Sequence, residues 1–348
     1  MKKILALGLV VTMMSALLAG CGNNTTSTTP VSSSDSSTST ESVKTTTLKV
    51  GHVYGDSYAM HVALQHMSDT VYEKTNGRYQ LEIHPNSELG GESDLIEGVQ
   101  LGSVDMCFTA TTPLANTVPA VAKLDLPFLV DDYNHADACF YNTDSEIRQS
   151  IIDDIDNGGF KCLTLCENGF RKLVTNKPIN SIEDFKNLKI RVMENQLHLE
   201  LWNALGASPT TMSASEALTG IQQGTVDAVE MFNSAIISVG FAELVDYYVA
   251  TNHIYTVGTL LMNQKVFNNM SAEDQQVFMD AAAEMARETN ESLRSTDEEF
   301  YNQLVGDTYG LTECFIDNDQ LREMTQAVFD NHPEYADFVA AVQAKSTK

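Results

Sequence analysis

The chain has 348 residues, with 47 Asp and Glu against 21 Lys and Arg, a formal net charge of −26 and 43% hydrophobic residues. Such a length holds one large domain or two, with enough chain for well-filled cores. The acidity argues against nucleic acid and anionic membrane surfaces as partners, since both bind through clustered Lys and Arg, and low hydrophobicity beyond residue 20 removes a polytopic membrane protein.

Residues 1–20 read as a secretion signal. Lys2 and Lys3 supply the charged start, Ile4 to Leu18 the apolar run, and Leu18-Ala19-Gly20 a small-residue cleavage site. With Cys21 the run Leu-Ala-Gly-Cys resembles the bacterial lipobox. That resemblance implies a diacylglyceryl-modified Cys21 as mature N-terminus, a lipid anchor, and a place on the outer face of the bacterial cell membrane. Residues 21–46 follow as a tether. Of the 26 residues from 22 to 47, 17 are Ser or Thr, so the segment cannot bury a core, and a coil of this length reaches roughly 25–30 Å.

Thr47 to Tyr54 then reads as a strand. Residues 57–75 form a helix with Ala59, Val62, Ala63, Met67 and Val71 at helical spacing, stopped by Asn76-Gly77. Tyr79 to Ile83 alternates apolar and polar residues as a half-buried strand. Strand and helix continue to alternate, the pattern of an α/β protein. One internal echo stands out: Val99-Gln-Leu-Gly-Ser-Val-Asp-Met is answered by Ile221-Gln-Gln-Gly-Thr-Val-Asp-Ala. In each copy Gly closes an amphipathic helix and Val-Asp opens a strand, which suggests two lobes built alike. Ser213 and Glu216 fit a capping box at the start of the second helix.

Five cysteines follow Cys21, at 107, 139, 162, 166 and 314, an odd number that leaves at least one free thiol. Cys162 and Cys166 lie in a strand-like run, where four residues span about 13 Å. That exceeds the ~7 Å Cα separation a disulfide tolerates, so the two do not bridge. Ser271 to Leu304 is one helical pattern without Gly or Pro, roughly 50 Å long and able to brace two lobes. A second helix is expected after Asp317.

No GxSxG elbow, phosphate loop, HExxH or paired CxxC is present, and His61 and His66 are off the spacing that brings two ligands to one helix face. No metal or cofactor is expected, and binding is favoured over catalysis. Arginine is scarce, at positions 78, 148, 171, 191, 287, 294 and 322. Arg171 follows the strand ending near Cys166, and Arg191 lies in the strand Leu188 to Met193. A guanidinium matches a carboxylate bidentately and stays charged, so two arginines in one cleft would hold an organic acid; the alternative for each is a surface or ion-paired role.

The motifs Pro85-Asn-Ser-Glu-Leu-Gly-Gly-Glu, GVQLGSVDM, LDLPFLV, NGFRKLVTNKPI, LKIRVMEN, LGASPTTM, IQQGTVDAVE and TNHIY, then the SAEDQQ-headed helix, occur in order over residues 47–330. Together they resemble the DctP-type solute-binding protein of tripartite ATP-independent periplasmic (TRAP) transporters. The resemblance implies a two-lobed periplasmic-binding-protein-like α/β fold with crossing strands, a long lobe-spanning helix and closure on an organic anion. The expected division is 47–168 with 257–296 for lobe I and 169–256 with 297–348 for lobe II. It also implies TRAP membrane subunits as partners, Arg191 as the carboxylate clamp, Arg171 as a second contact, and the strand end Thr109–Thr112, with Thr111, facing the pocket.

Departures bear on the ligand. Met231 stands where many relatives carry a ligand-contacting Asn, and Asn233 is the candidate replacement. Glu194 stands where sialic-acid receptors have Asn, which argues against sialic acid; it is either an acceptor for sugar hydroxyls or a solvated surface residue. His52 is a cleft candidate beside a structural role, and Trp202 is expected to pack. A C4-dicarboxylate or a sugar acid such as a hexuronate is the expected ligand. The alternatives are a receptor for an ABC importer, a sensor, and a secreted hydrolase.

Overall fold

The computed structural model describes residues 44–347; the signal segment, Cys21 and the tether up to residue 43 lie outside the described residues. Eleven strands follow: β1 Thr46–Gly51, β2 Tyr79–His84, β3 Met106–Ala110, β4 Phe160–Phe170, β5 Lys172–Thr175, β6 Lys189–Val192, β7 Ser208–Thr211, β8 Ala228–Met231, β9 Tyr247–Val249, β10 Tyr255–Asn263 and β11 Thr312–Cys314. They form two sheets, β2-β1-β3-β10-β4 and β11-β9-β5-β8-β6-β7, each the base of one lobe. The first strand begins at Thr46, inside the expected tether.

The echo in the sequence is an echo in space. In the first sheet β1 pairs parallel with β2 and β3, and β10 runs antiparallel to β3. In the second, β6 pairs parallel with β7 and β8, and β5 runs antiparallel to β8. The Glu92–Leu101 and Ala214–Gln223 helices end on Gly102 and Gly224, both in the left-handed conformation that favours glycine. Asp105 and Asp227 then do the same job. Each donates its N–H to the carbonyl of a lysine on the neighbouring strand, Lys49 within β1 or Lys189 at the start of β6, and each carboxylate accepts that lysine's N–H. The strands start just after Val-Asp, at Met106 and Ala228, because the Asp is spent on this clasp.

The first helix runs Ala59–Lys74, and its buried stripe is Met60, Ala63, Leu64, Met67 and Val71. Val62, expected inside, is 37% exposed, so the stripe is rotated slightly from the expected one. Asn76 and Gly77 follow with positive φ, 52° and 75°, and turn the chain into β2. The long helix runs Ala272–Val305, with Ser271 accepting the Asp274 N–H at its start. It packs on the first helix and on β4, and reaches the Asn233–Ser238 helix after β8, so it contacts both lobes.

The chain crosses from the first sheet to the second at Arg171, between β4 and β5, and returns between β9 and β10. The Arg171 N–H donates to Ile254 O on the returning segment at 2.9 Å. The final segment divides its contacts. The Gln326–Asn331 helix lies against the Gln196–Ala204 helix of the second lobe, whereas Ala336–Gln343 packs on the Glu146–Asn157 helix of the first. All five described cysteines are buried and unbridged; Cys162 and Cys166 lie along β4 as expected. Trp202 is buried against Phe185 and His253. Among the described residues no helix is long and apolar enough to cross a membrane, and no His, Cys, Asp and Glu group is arranged to hold a metal.

Candidate functional site

The two equivalent helices start at one cavity. About 380 Å³ in volume, it is lined on one side by Gly90, Gly91, Glu92, Ser93 and Asp94, and on the other by Arg191, Glu194 and residues 212–216. Helix starts carry partial positive charge and free N–H groups. Here Asp94 accepts the Gly91 N–H at 2.8 Å and Glu216 accepts the Ser213 N–H at 2.9 Å, so each start is capped by its own carboxylate.

Arg191 enters from β6, where Ile190, Arg191 and Val192 are all buried. Its Nε donates to Met212 O at 2.8 Å, while its Nη1 is buried with no partner. Burial lowers its pKa to about 10, with Arg171 adding to the shift and Glu230, Glu92 and Glu194 opposing it. An unsatisfied buried guanidinium nitrogen is costly, and a carboxylate is the group that best completes it.

Arg171, also buried, is committed. Its Nε donates to the Glu230 carboxylate, its Nη2 to Glu230 O at 2.6 Å and its Nη1 to Thr256 Oγ1 at 3.2 Å. Burial would raise the Glu230 carboxyl, but Arg171, His198 and His253 outweigh it and hold Glu230 well below the usual carboxylate range. Arg171 and Arg191 meet with Met231, Tyr54 and Phe232 around an inner extension of only about 10 Å³, roughly the room for one water.

Glu194 ties the lobes together at the cavity. Ser93 Oγ donates to its carboxylate, and Asn116 Nδ2 donates to its backbone oxygen at 2.5 Å. Thus Arg191, Arg171, Met231 and Glu194 all border the cavity or its extension. Three other candidates do not. Asn233 begins a helix after β8 and donates from Nδ2 to Asp297 on the long helix at 3.0 Å while accepting from Tyr248 at 2.9 Å. Thr111 donates to Val257 O at 3.1 Å. His52 lies 2.9 Å from His61 in the interior of the first lobe, where burial and that neighbour lower its pKa to about 3.

Glu92 was missed by the sequence reading. Its carboxylate accepts the Ala110 N–H at 2.8 Å and borders both chambers. Burial raises its pKa; the Ala110 amide, Arg191 and Arg171 oppose that rise. A signal for it exists in the repeat, because two lobes built alike bring both helix starts to the cleft, and Glu92 opens the first.

Residues 50–336 match the family model DctP, bacterial extracellular solute-binding protein family 7. A solute-binding protein of Verminephrobacter eiseniae is 37% identical over 243 residues, 70% of this chain and 72% of that protein. A TRAP periplasmic solute-binding protein from Polaromonas sp. JS666, bound to D-erythronate, superposes with a TM-score of 0.82 at 32% identity, covering 87% of this chain and 100% of that one. One from Roseobacter denitrificans, with bound L-galactonate, gives 0.81 at 30% identity over 86% and 99%. With a matching family model over most of its length, two α/β lobes and a cavity between them, the chain belongs to the DctP family of extracytoplasmic solute-binding proteins, transport receptors rather than enzymes.

Proposed function

We propose that this receptor captures a sugar acid bearing a single carboxylate and delivers it to TRAP membrane subunits, from a lipid anchor at Cys21. The observation that carries the ligand reading is the buried, unpartnered Nη1 of Arg191 at the cavity. Arg171 supports it as the second cation, its charge already answered by Glu230. The other charged-type side chains of the lining are all acidic: Glu92, Asp94, Glu194 and Glu216. One open cation among four carboxylates suits one carboxylate plus hydroxyl groups that donate to acidic acceptors, and a second ligand carboxylate would meet like charge. The relatives with D-erythronate and L-galactonate carry ligands of this class. Closure over the ligand excludes water and strengthens the charge-assisted bonds.

Calorimetry against D-erythronate, L-galactonate, D-galacturonate and L-malate tests the reading. At least one of the sugar acids is expected at micromolar Kd or better, about −8 kcal/mol, with malate at least ~10-fold weaker, a like-charge cost of about 1.4 kcal/mol. Malate binding as tightly as the best sugar acid would overturn it. Labelling of cells with a tagged fatty acid is expected to mark the parent and not Cys21→Ala; a parent that takes up no label would refute the anchor.

A further inference from the structure

Behind the cavity Glu230 belongs to a polar cluster whose histidine and aspartate the ligand reading does not use. His198, on the Gln196–Ala204 helix, is fully buried. Its Nε2 is 3.2 Å from Asp125 Oδ1 and its Nδ1 is 3.2 Å from Glu230 Oε1. With a carboxylate on each side both ring nitrogens donate, which makes the ring an imidazolium. The two acceptors belong to different lobes. Asp125 ends the Pro119–Asp125 turn packed on β10 of the first sheet, and Glu230 lies in β8 of the second. Asn195 reinforces the span, donating from Nδ2 to Thr112 O at 3.0 Å and to Asp125 Oδ2 at 3.1 Å.

We propose that His198 is a proton-linked positioning residue for lobe closure: the closed receptor takes up a proton on His198, which bridges Asp125 to Glu230 and so sets Arg171 beside the ligand. The inference rests on the sugar-acid reading of the site and adds its regulation. Burial alone would lower the His198 pKa, but Glu230 and Asp125 outweigh it and the net direction is up. Opening the lobes separates Asp125 from the ring and leaves one carboxylate, so the open state holds the proton less firmly. A pKa raised on closure favours closure fully at low pH, and the advantage is lost as pH rises through the closed-state value. Between the open and closed values, affinity falls by up to about tenfold per pH unit.

The other charged neighbours act through Glu230 or face away. His253 Nε2 is 3.4 Å from Glu230 Oε2, and burial lowers its pKa against the opposing pull of Glu230. Arg171 and Arg191 both feel Glu230. β7, beside the helix, carries no titratable side chain. On the helix's other side Glu200 pairs with His332 at 2.9 Å.

The test is calorimetry of the purified receptor with L-galactonate and D-erythronate from about pH 6 to about pH 9, across the histidine range, in buffers of different ionisation heat. In parallel, spin-label distances across the lobes record the closed fraction without ligand. Expected are proton uptake on binding, affinity that weakens as pH rises, and a ligand-free closed fraction that grows as pH falls. His198→Gln is expected to abolish all three, and Asp125→Asn serves as a second variant should the first not fold. Binding and closure both insensitive to pH in the parent, or uptake that persists in His198→Gln, would overturn the proposal. Loss of sugar-acid binding with pH-dependent closure intact would sink the ligand reading alone.

Discussion

Arg171 and Arg191 look alike in sequence, yet replacing each with Met is expected to have opposite effects. On the proposed reading, Arg191→Met would cost a bidentate ligand carboxylate two charge-assisted hydrogen bonds. At ~1.5–3 kcal/mol each this is about 3–6 kcal/mol, a roughly 100- to 10,000-fold rise in Kd. The fold loses little, since the side chain makes one hydrogen bond, to Met212 O, and buries an unpartnered Nη1. Ligand-free stability should stay within about 1 kcal/mol of the parent. Arg171→Met strands Glu230, which is 0% exposed, in the interior. Breaking a buried pair costs about 3–5 kcal/mol, and the lower end applies because His198 and His253 remain beside the carboxylate. For a fold of this size that is roughly 5 °C in Tm. Calorimetry of binding and ligand-free thermal melts, run on both variants, separate the effects. An Arg191→Met protein that melts far below the parent while Arg171→Met melts normally would refute the division of labour.

Further outcomes are expected elsewhere in the molecule. Asn233→Ala should leave ligand affinity within about twofold while lowering stability by about 1–3 kcal/mol, because its amide joins Asp297 and Tyr248; a collapse of affinity in titration would put Asn233 at the ligand. Ser93→Ala removes a donor to Glu194 across the cavity. It should speed ligand release several-fold in stopped-flow with little change in association, consistent with loss of one interlobe bond of ~1 kcal/mol. Asp105→Ala and Asp227→Ala should destabilise by similar amounts, about 1–3 kcal/mol each in urea unfolding, since both hold the same clasp. The described thiols are all buried, and burial pushes Cys162 up to about 11, so a polar thiol reagent should react only on unfolding. Rapid labelling of native protein would refute that.

The parts of the fold written in local pattern were legible. The long helix showed as an unbroken helical run without Gly or Pro, and its expected start at Ser271 is its N-cap. The doubled helix–Gly–strand unit showed as a repeated string, and repeated chemistry at Gly102 and Gly224 made it readable. The two arginines were visible as residues, and the resemblance ranked Arg191 first, but the commitment of Arg171 to an ion pair was not visible. It depends on Glu230, 59 residues from Arg171, which antiparallel pairing of β5 with β8 brings alongside. No spacing in the chain announces that register. The placement of Asn233 was hidden for a related reason: β8 stops at Met231, and the helix that follows brings its side chain to Asp297 on the long helix. His52 follows β1 and is buried, and its surroundings, His61 on the neighbouring helix and the Tyr54 ring, are not announced by its place in the chain.

The crossing at Arg171 has a mechanical meaning. Two extended segments, the long helix and the C-terminal segment join the lobes, and Arg171 sits in the first extended segment while its N–H grips the second at Ile254. Movement of the lobes therefore has to turn about a place whose side chain already borders the ligand cavity. In a lever of this kind the fulcrum and the gauge are the same residue, so occupancy at the cavity and the angle between the lobes need no intermediary to communicate.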